Sequence, residues 1–208
     1  MRIKAVLFDL DGVLIDTESI YTDFWQEVDR RHPTNVDNFA MVIKGSTLNE
    51  IFHKYFPDKN VQEEVAGELK VFEENMPYRF FDGTENLLVR LRENGLSIAV
   101  VTSSNRTKMM RVFKSLPALQ SGIDTLVTDE DVTESKPHPQ GYLLAAKRLG
   151  VEPSLCAVVE DSLAGLTAGR RAGAYVVGIA TTNPRSAILP LADTVLDSVA
   201  ELAELIEF

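Results

Sequence analysis

The 208 residues are 45% apolar with a mean hydropathy near zero, enough to bury a substantial core as one large domain or as one domain carrying an insertion. A net charge of −10 without any long basic block disfavours contact with nucleic acid or an anionic membrane surface. No apolar run approaches the roughly 20 residues that span a bilayer, the first residues lack the charged-then-apolar pattern of a signal peptide, and the single Cys156 excludes an internal disulfide, so a cytoplasmic protein is expected.

The first element is an apolar strand over 3–8, which ends abruptly in Asp9-Leu10-Asp11-Gly12. Two carboxylates two residues apart at a strand end must share a cationic partner or repel, and a divalent metal is the natural partner. A calcium loop would need an acidic or amide residue at Leu7, where this chain has apolar strand. The interval 16–81 contains no comparable run. Phe52, Tyr55 and Phe56, then Val61, Val65, Leu69 and Phe72, follow helical spacing, with Pro57 and Pro77 as breaks, so a small helical bundle is predicted. Tyr21, Phe24 and Trp25 read as its packing residues, and Glu63, Glu64 and Glu68 as a solvated face.

Further strand runs follow at 96–101, 123–127, 156–159 and 175–179. Helices are predicted from about Thr84 to Asn94, with Gly95 as C-terminal stop, and from about Pro139 to Leu149, stopped by Gly150. This alternation marks a parallel sheet. The expectation is an α/β protein: a Rossmann-like core domain over 1–15 and 82–208, with a small helical cap domain inserted over 16–81. After the fourth strand, Gly165, Gly169 and Gly173, each preceded by Ala, predict one smooth helical face for close packing.

Open parallel sheets bind ligands beyond the carboxyl ends of their strands. Those ends carry Asp9 and Asp11; Thr102, Ser103, Ser104 and Asn105; and Glu160-Asp161-Ser162, while Ser135-Lys136-Pro137 precedes the helix near 139. Together these groups suit a phosphoryl-transfer site. Asp9 would attack phosphorus, a metal held by Asp9 and Asp161 together with Lys136 would offset the repulsion between anions, and Asp11 would serve as acid and base. Thr102 and nearby N–H groups would hold the transferring oxygens. His32, His53 and His138 lack metal-ligand spacing.

In Asp9-Leu10-Asp11-Gly12-Val13, Val101-Thr102-Ser103-Ser104, Ser135-Lys136-Pro137 and Glu160-Asp161-Ser162, the chain resembles the haloacid dehalogenase superfamily, in the subfamily containing β-phosphoglucomutase and small sugar-phosphate phosphatases. The resemblance covers essentially the whole chain. It implies Asp9 as nucleophile and Asp11 as acid/base. It also implies Mg²⁺ held by Asp9, Asp11, Asp161 and Glu160, and a phosphate-side set of Thr102, Ser103, Ser104, Asn105 and Lys136, joined by Lys44 from the insert. Dehalogenases of this superfamily lack the second carboxylate of the first motif, so Asp11 argues for phosphate chemistry. Lys44-Gly45 resembles the mutase branch, but Tyr21 and Leu48 stand where β-phosphoglucomutases usually place His and Arg, which favours hydrolysis.

The expected function is Mg²⁺-dependent hydrolysis of a small phosphorylated metabolite, a sugar phosphate or similar monoester, through an aspartyl-phosphate. A mutase is the alternative. A phospho-accepting signalling domain uses similar groups, yet is about half this length, lacks the insert and places its acidic pair early. A non-catalytic binding module would not need the intact acidic set. Periodicity alone sets neither the oligomeric state nor which of Tyr21, Lys44, Thr47 and Lys70 face a cleft.

Overall fold

The computed structural model describes residues 3–43 and 48–205, so Lys44 and Thr47 lie outside the described residues. The chain divides into two units, Met1–Asp16 with Tyr78–Phe208, and Thr17–Pro77. Strand β1 (Ala5–Phe8) leads into the second of these.

That unit is helical: α1 (Glu18–Arg31), α2 (Phe39–Val42), α3 (Leu48–Tyr55) and α4 (Lys59–Glu74). Its core gathers Trp25, Val28, Phe39, Ile51, Phe52, Phe56 and Val65, with Tyr21, Phe24, Val61 and Leu69 packed against it. Phe39 meets Trp25, Tyr55 and Phe56 edge-on at 5.2 to 6.2 Å, an arrangement that opposes positive ring edges to negative faces. Pro57 ends the preceding helical run, and Asp58 then starts α4 by accepting a bond from Asn60 N at 2.8 Å. Glu68 is not simply solvated: both its oxygens pair with the Arg31 guanidinium, which ties α4 to α1.

The other unit holds α5 (Thr84–Glu93), β2 (Ser97–Val101), α6 (Arg106–Ser115), α7 (Pro117–Gly122) and β3 (Thr125–Val127). Then follow α8 (Gln140–Leu149), β4 (Cys156–Glu160), α9 (Leu163–Ala172), β5 (Tyr175–Ile179), α10 (Arg185–Ile188), β6 (Thr194–Leu196) and α11 (Leu202–Leu205). All six strands run parallel in the order β3-β2-β1-β4-β5-β6. β1 and β4 are wholly buried, which is why they read as unbroken apolar runs. Ala5, Leu7, Ala99, Val101 and Val158 pack on one face against Tyr142 and Ala145 of α8 and Ala168 of α9. Alternation sends Val6, Phe8, Ile98 and Val100 to the other face, where α5 lies on β2.

Three details depart from expectation. β6, a three-residue edge strand with only its middle residue buried, carries too little pattern to be read from sequence. Residues 78–81, expected within the insert, run beside 14–16 in the sheet unit, where Phe81 N donates to Leu14 O at 3.1 Å and Asp16 N to Arg79 O at 3.1 Å. Gly165 and Gly169 do form a close-packing face, with a Cβ at Gly169 falling 2.8 Å from Val158 Cγ1. Gly173 does not share it, because it is the left-handed C-cap of α9. Among the described residues, no helix is long and apolar enough to cross a membrane.

Candidate active site

The chain leaves β1 towards β2 and β3 on one side, then returns to place β4, β5 and β6 on the other. The carboxyl ends of β1 and β4 therefore meet at the switch point, where neighbouring connections part and open a crevice. Phe8 pairs with Val159, and Asp9 N continues the ladder to Val159 O at 3.0 Å, so Asp9 comes level with Glu160.

Lys136 reaches this point from the loop before α8. Its Nζ donates to Asp9 Oδ1 (2.5 Å), Glu160 Oε1 (2.7 Å) and Val101 O (2.9 Å), which satisfies all three ammonium protons. Burial opposes its charge, yet the carboxylates of Asp9 and Glu160 outweigh burial and hold the ammonium above its ordinary pKa. Glu160 is itself held below the usual carboxylate range, as Lys136 and the Tyr142 hydroxyl (2.8 Å) overcome the burial penalty.

One oxygen each of Asp9, Glu160 and Asp161 lies within 4.8 Å of the others. Lys136 cannot balance three carboxylates. Burial, helped by the charges of Glu160 and Asp161, drives Asp9 well above its ordinary value against the pull of Lys136. Burial and the charge of Glu160 likewise push Asp161 up to about 7. A buried all-oxygen cluster short of positive charge fits a hard divalent cation.

Gly12 is required by its surroundings. It lies at φ +81°, and a Cβ there would fall 2.0 Å from Asp161 Oδ2 and 2.9 Å from Thr182 Oγ1. Thr181 Oγ1 donates to Gly12 O, and Asn183 Nδ2 to Asp161 O at 2.9 Å, so the segment after β5 braces both.

Asp11 is drawn elsewhere. Lys108 Nζ, on the first turn of α6, donates to both of its carboxylate oxygens at 2.8 Å, and Ser104 Oγ adds a bond at 3.0 Å. The cluster of Asp9, Glu160 and Asp161 does not include the Asp11 carboxylate. Thr102 is buried, and its Oγ1 accepts from Ser104 N at 3.0 Å while keeping its own O–H to donate. The Asn105 side-chain oxygen caps α6 by accepting from Lys108 N at 2.8 Å. Ser103 is exposed and borders a cavity of about 200 Å³ with Thr102, Lys136 and Tyr142. Lys44 lies outside the described residues.

Sequence reasoning missed Lys108, Tyr142 and Thr182, whose hydroxyl bonds the Asp161 side chain. Thr181-Thr182-Asn183 sits where the strand-end rule points after the 175–179 run. Lys108 and Tyr142 sit inside helices and have no such signal.

Fold and site together define a doubly wound parallel-sheet enzyme whose acidic, lysine-bearing centre lies at the switch point. Residues 3–173 match the family described as haloacid dehalogenase-like hydrolase, and the chain belongs to it. It is 34% identical over 206 residues to validoxylamine A 7'-phosphate phosphatase of Streptomyces hygroscopicus subsp. limoneus, covering 96% of this chain and 95% of that protein. It is 30% identical to a β-phosphoglucomutase of Mycobacterium bovis, over 97% of this chain and 92% of that one. A crystal structure of a HAD family hydrolase from Deinococcus radiodurans R1, with bound phosphate and sodium, superposes with a TM-score of 0.86 at 29% identity, covering 98% and 95% of the two chains.

Proposed function

We propose that the protein hydrolyses the phosphate monoester of a small hydroxylated metabolite, a sugar phosphate or a close analogue, in the cytoplasm and with Mg²⁺ as cofactor. The observation that carries this reading is the ammonium of Lys136, held in contact with Asp9 inside a carboxylate cluster short of positive charge. Lys136 pins Oδ1 of Asp9 and leaves Oδ2 as the attacking atom.

Oδ2 forms a bond to phosphorus as the bond from phosphorus to the ester oxygen breaks, and that oxygen takes a proton from Asp11. Water then attacks the aspartyl-phosphate and gives its proton to Asp11, which releases phosphate and restores both carboxyl groups. Two unit charges 4 Å apart repel by about 4 kcal/mol at an effective dielectric of 20, so an anionic nucleophile needs counter-charge to approach a phosphate. Lys136 supplies one such charge. A divalent cation held by Asp9 and Asp161 supplies Lewis-acid neutralisation of the phosphate oxygens when bound. The Thr102 hydroxyl is placed to donate to them.

The similarity to a β-phosphoglucomutase supports a second reading, phosphate transfer within a bisphosphate cycle. Tyr21 and Leu48 weigh against it, since neither can replace the His and Arg of that branch. In the helical unit the Tyr21 hydroxyl donates to Glu73 at 2.9 Å and its ring meets Phe72 edge-on.

A screen of phosphorylated metabolites with Mg²⁺ tests the proposal: phosphate release is expected from a sugar or polyol phosphate, and Asp9→Asn is expected to abolish it. Full activity in that variant overturns the nucleophile. Isomerisation of β-glucose 1-phosphate faster than its hydrolysis, with the 1,6-bisphosphate present, establishes the mutase instead.

A further inference from the structure

The helical unit contains a cavity of about 290 Å³, bordered among the described residues by side chains of that unit alone. This is the space of roughly ten liquid waters, which suits one six-carbon polyol. Glu18, Tyr21, Thr22 and Trp25 recur at i, i+3, i+4 and i+7, so a single face of α1 supplies them to the wall. Leu69 and Glu73, four residues apart on α4, border the same space.

These side chains offer complementary contacts. Trp25 is 7% exposed, yet its indole N–H makes no hydrogen bond among the described residues, although a buried indole usually finds a partner. Thr22 Oγ1 donates to Glu18 O at 2.7 Å and keeps its lone pairs to accept. Glu73 Oε1 accepts from the Tyr21 hydroxyl at 2.9 Å, while its Oε2 has no donor among the described residues. A donor and several acceptors beside an apolar ring face match hydroxyls, which both donate and accept, carried on a skeleton of C–H groups. Charge narrows the choice. Glu18 and Glu73 bring carboxylates to the wall, and no Lys or Arg borders it among the described residues, so an anionic group on the ligand would meet like charge.

We propose that this cavity takes the alcohol part of the substrate, a polyol with no anionic group of its own, and that Glu73 turns away a second phosphate or carboxylate. The inference rests on the hydrolase reading for the identity of its occupant. It also runs against the bisphosphate of a mutase cycle.

Trp25 is the chain's single tryptophan and stands on the wall, so its fluorescence reads occupancy of the cavity. The full chain carrying Asp9→Asn, expected to bind without turnover, is titrated with sorbitol 6-phosphate and with 6-phosphogluconate, which has a carboxylate where the first has a terminal CH2OH. Sorbitol 6-phosphate is expected to shift the emission saturably and to bind at least about tenfold more tightly, while inorganic phosphate leaves the emission unchanged. Adding Glu73→Gln, which keeps the shape of the side chain, is expected to narrow that ratio to about threefold or less, with circular dichroism confirming the fold. With Asp9 intact, kcat/KM for the two compounds is expected to follow the same ratio. An emission unmoved by sorbitol 6-phosphate up to about 10 mM, or moved equally by phosphate alone, overturns the cavity as a polyol site. Equal affinity for the two compounds, or a ratio that Glu73→Gln leaves intact, overturns the charge filter. If the emission responds but the wild-type chain hydrolyses no monoester, the hydrolase reading fails while the cavity stands.

Discussion

Gly165→Ala sets local preference against tertiary packing at the heart of the site. By helix propensity the change should stabilise α9 by about 1 kcal/mol. The added Cβ, however, would fall 1.6 Å from Glu160 Oε1 and 1.9 Å from its Cδ, far inside contact distance, and the carboxylate cannot swing aside without leaving its donors. Losing two hydrogen bonds to a charged group costs about 3–6 kcal/mol, so the net expectation is a destabilisation of about 2–5 kcal/mol. That is a large part of the 5–15 kcal/mol typical of a domain. Gly67→Ala in α4 is the matched control: it is exposed, no atom lies within 4 Å of its added Cβ, and a gain of about 1 kcal/mol is expected. Urea unfolding followed by circular dichroism measures both, and fluorescence of the chain's single Trp25 reports the helical unit that contains Gly67. Phosphatase turnover is expected to fall with Gly165→Ala, as Glu160 is driven off Lys136. A midpoint for Gly165→Ala at or above that of the wild type would refute the reasoning.

Two further outcomes follow from single contacts. Lys108→Met keeps the side-chain length but deletes both hydrogen bonds to Asp11, so kcat is expected to drop about tenfold, with partial recovery in Lys108→Arg; unchanged turnover in the Met variant would show that Asp11 needs no clasp. At Asp131, burial works against the charge, but bonds from Thr128 and Arg148 outweigh it and bring the pKa from 3.8 down to about 2. Because the folded value lies below the unfolded one, this contribution is complete above about pH 4 and is lost as pH falls towards 2. The gap in Tm between the wild type and Asp131→Asn is therefore expected to be widest at neutral pH and to close by pH 2, and a gap independent of pH would contradict the assignment.

Much of the sheet unit was legible because burial on both faces writes a parallel strand as a continuous apolar run. Ala5–Phe8, Cys156–Glu160 and Tyr175–Ile179 stand out for that reason, and the glycines after α5 and α8 mark where the helices stop. The edge strand β6 does not, because an edge has only half the burial to record. Strand ends likewise announced Asp9, Thr102, Glu160 and Asp161, since topology obliges a polar group there to face the crevice.

What each group does within the crevice was a different matter. The linear chain shows two carboxylates at 9 and 11 as a pair, and only the folded chain separates them, one to Lys136 at the switch point and the other to Lys108 on α6. It shows Glu160 and Asp161 as equals, and only packing gives the first Lys136 and Tyr142 as partners and the second Thr182. By itself the sequence determined the residue types, the strand ends and the family, because those are written in local pattern and spacing. Tertiary structure decided the partner of each charge: Lys136 lies 127 residues from Asp9 and Lys108 97 residues from Asp11, and no local pattern encodes contacts across such intervals.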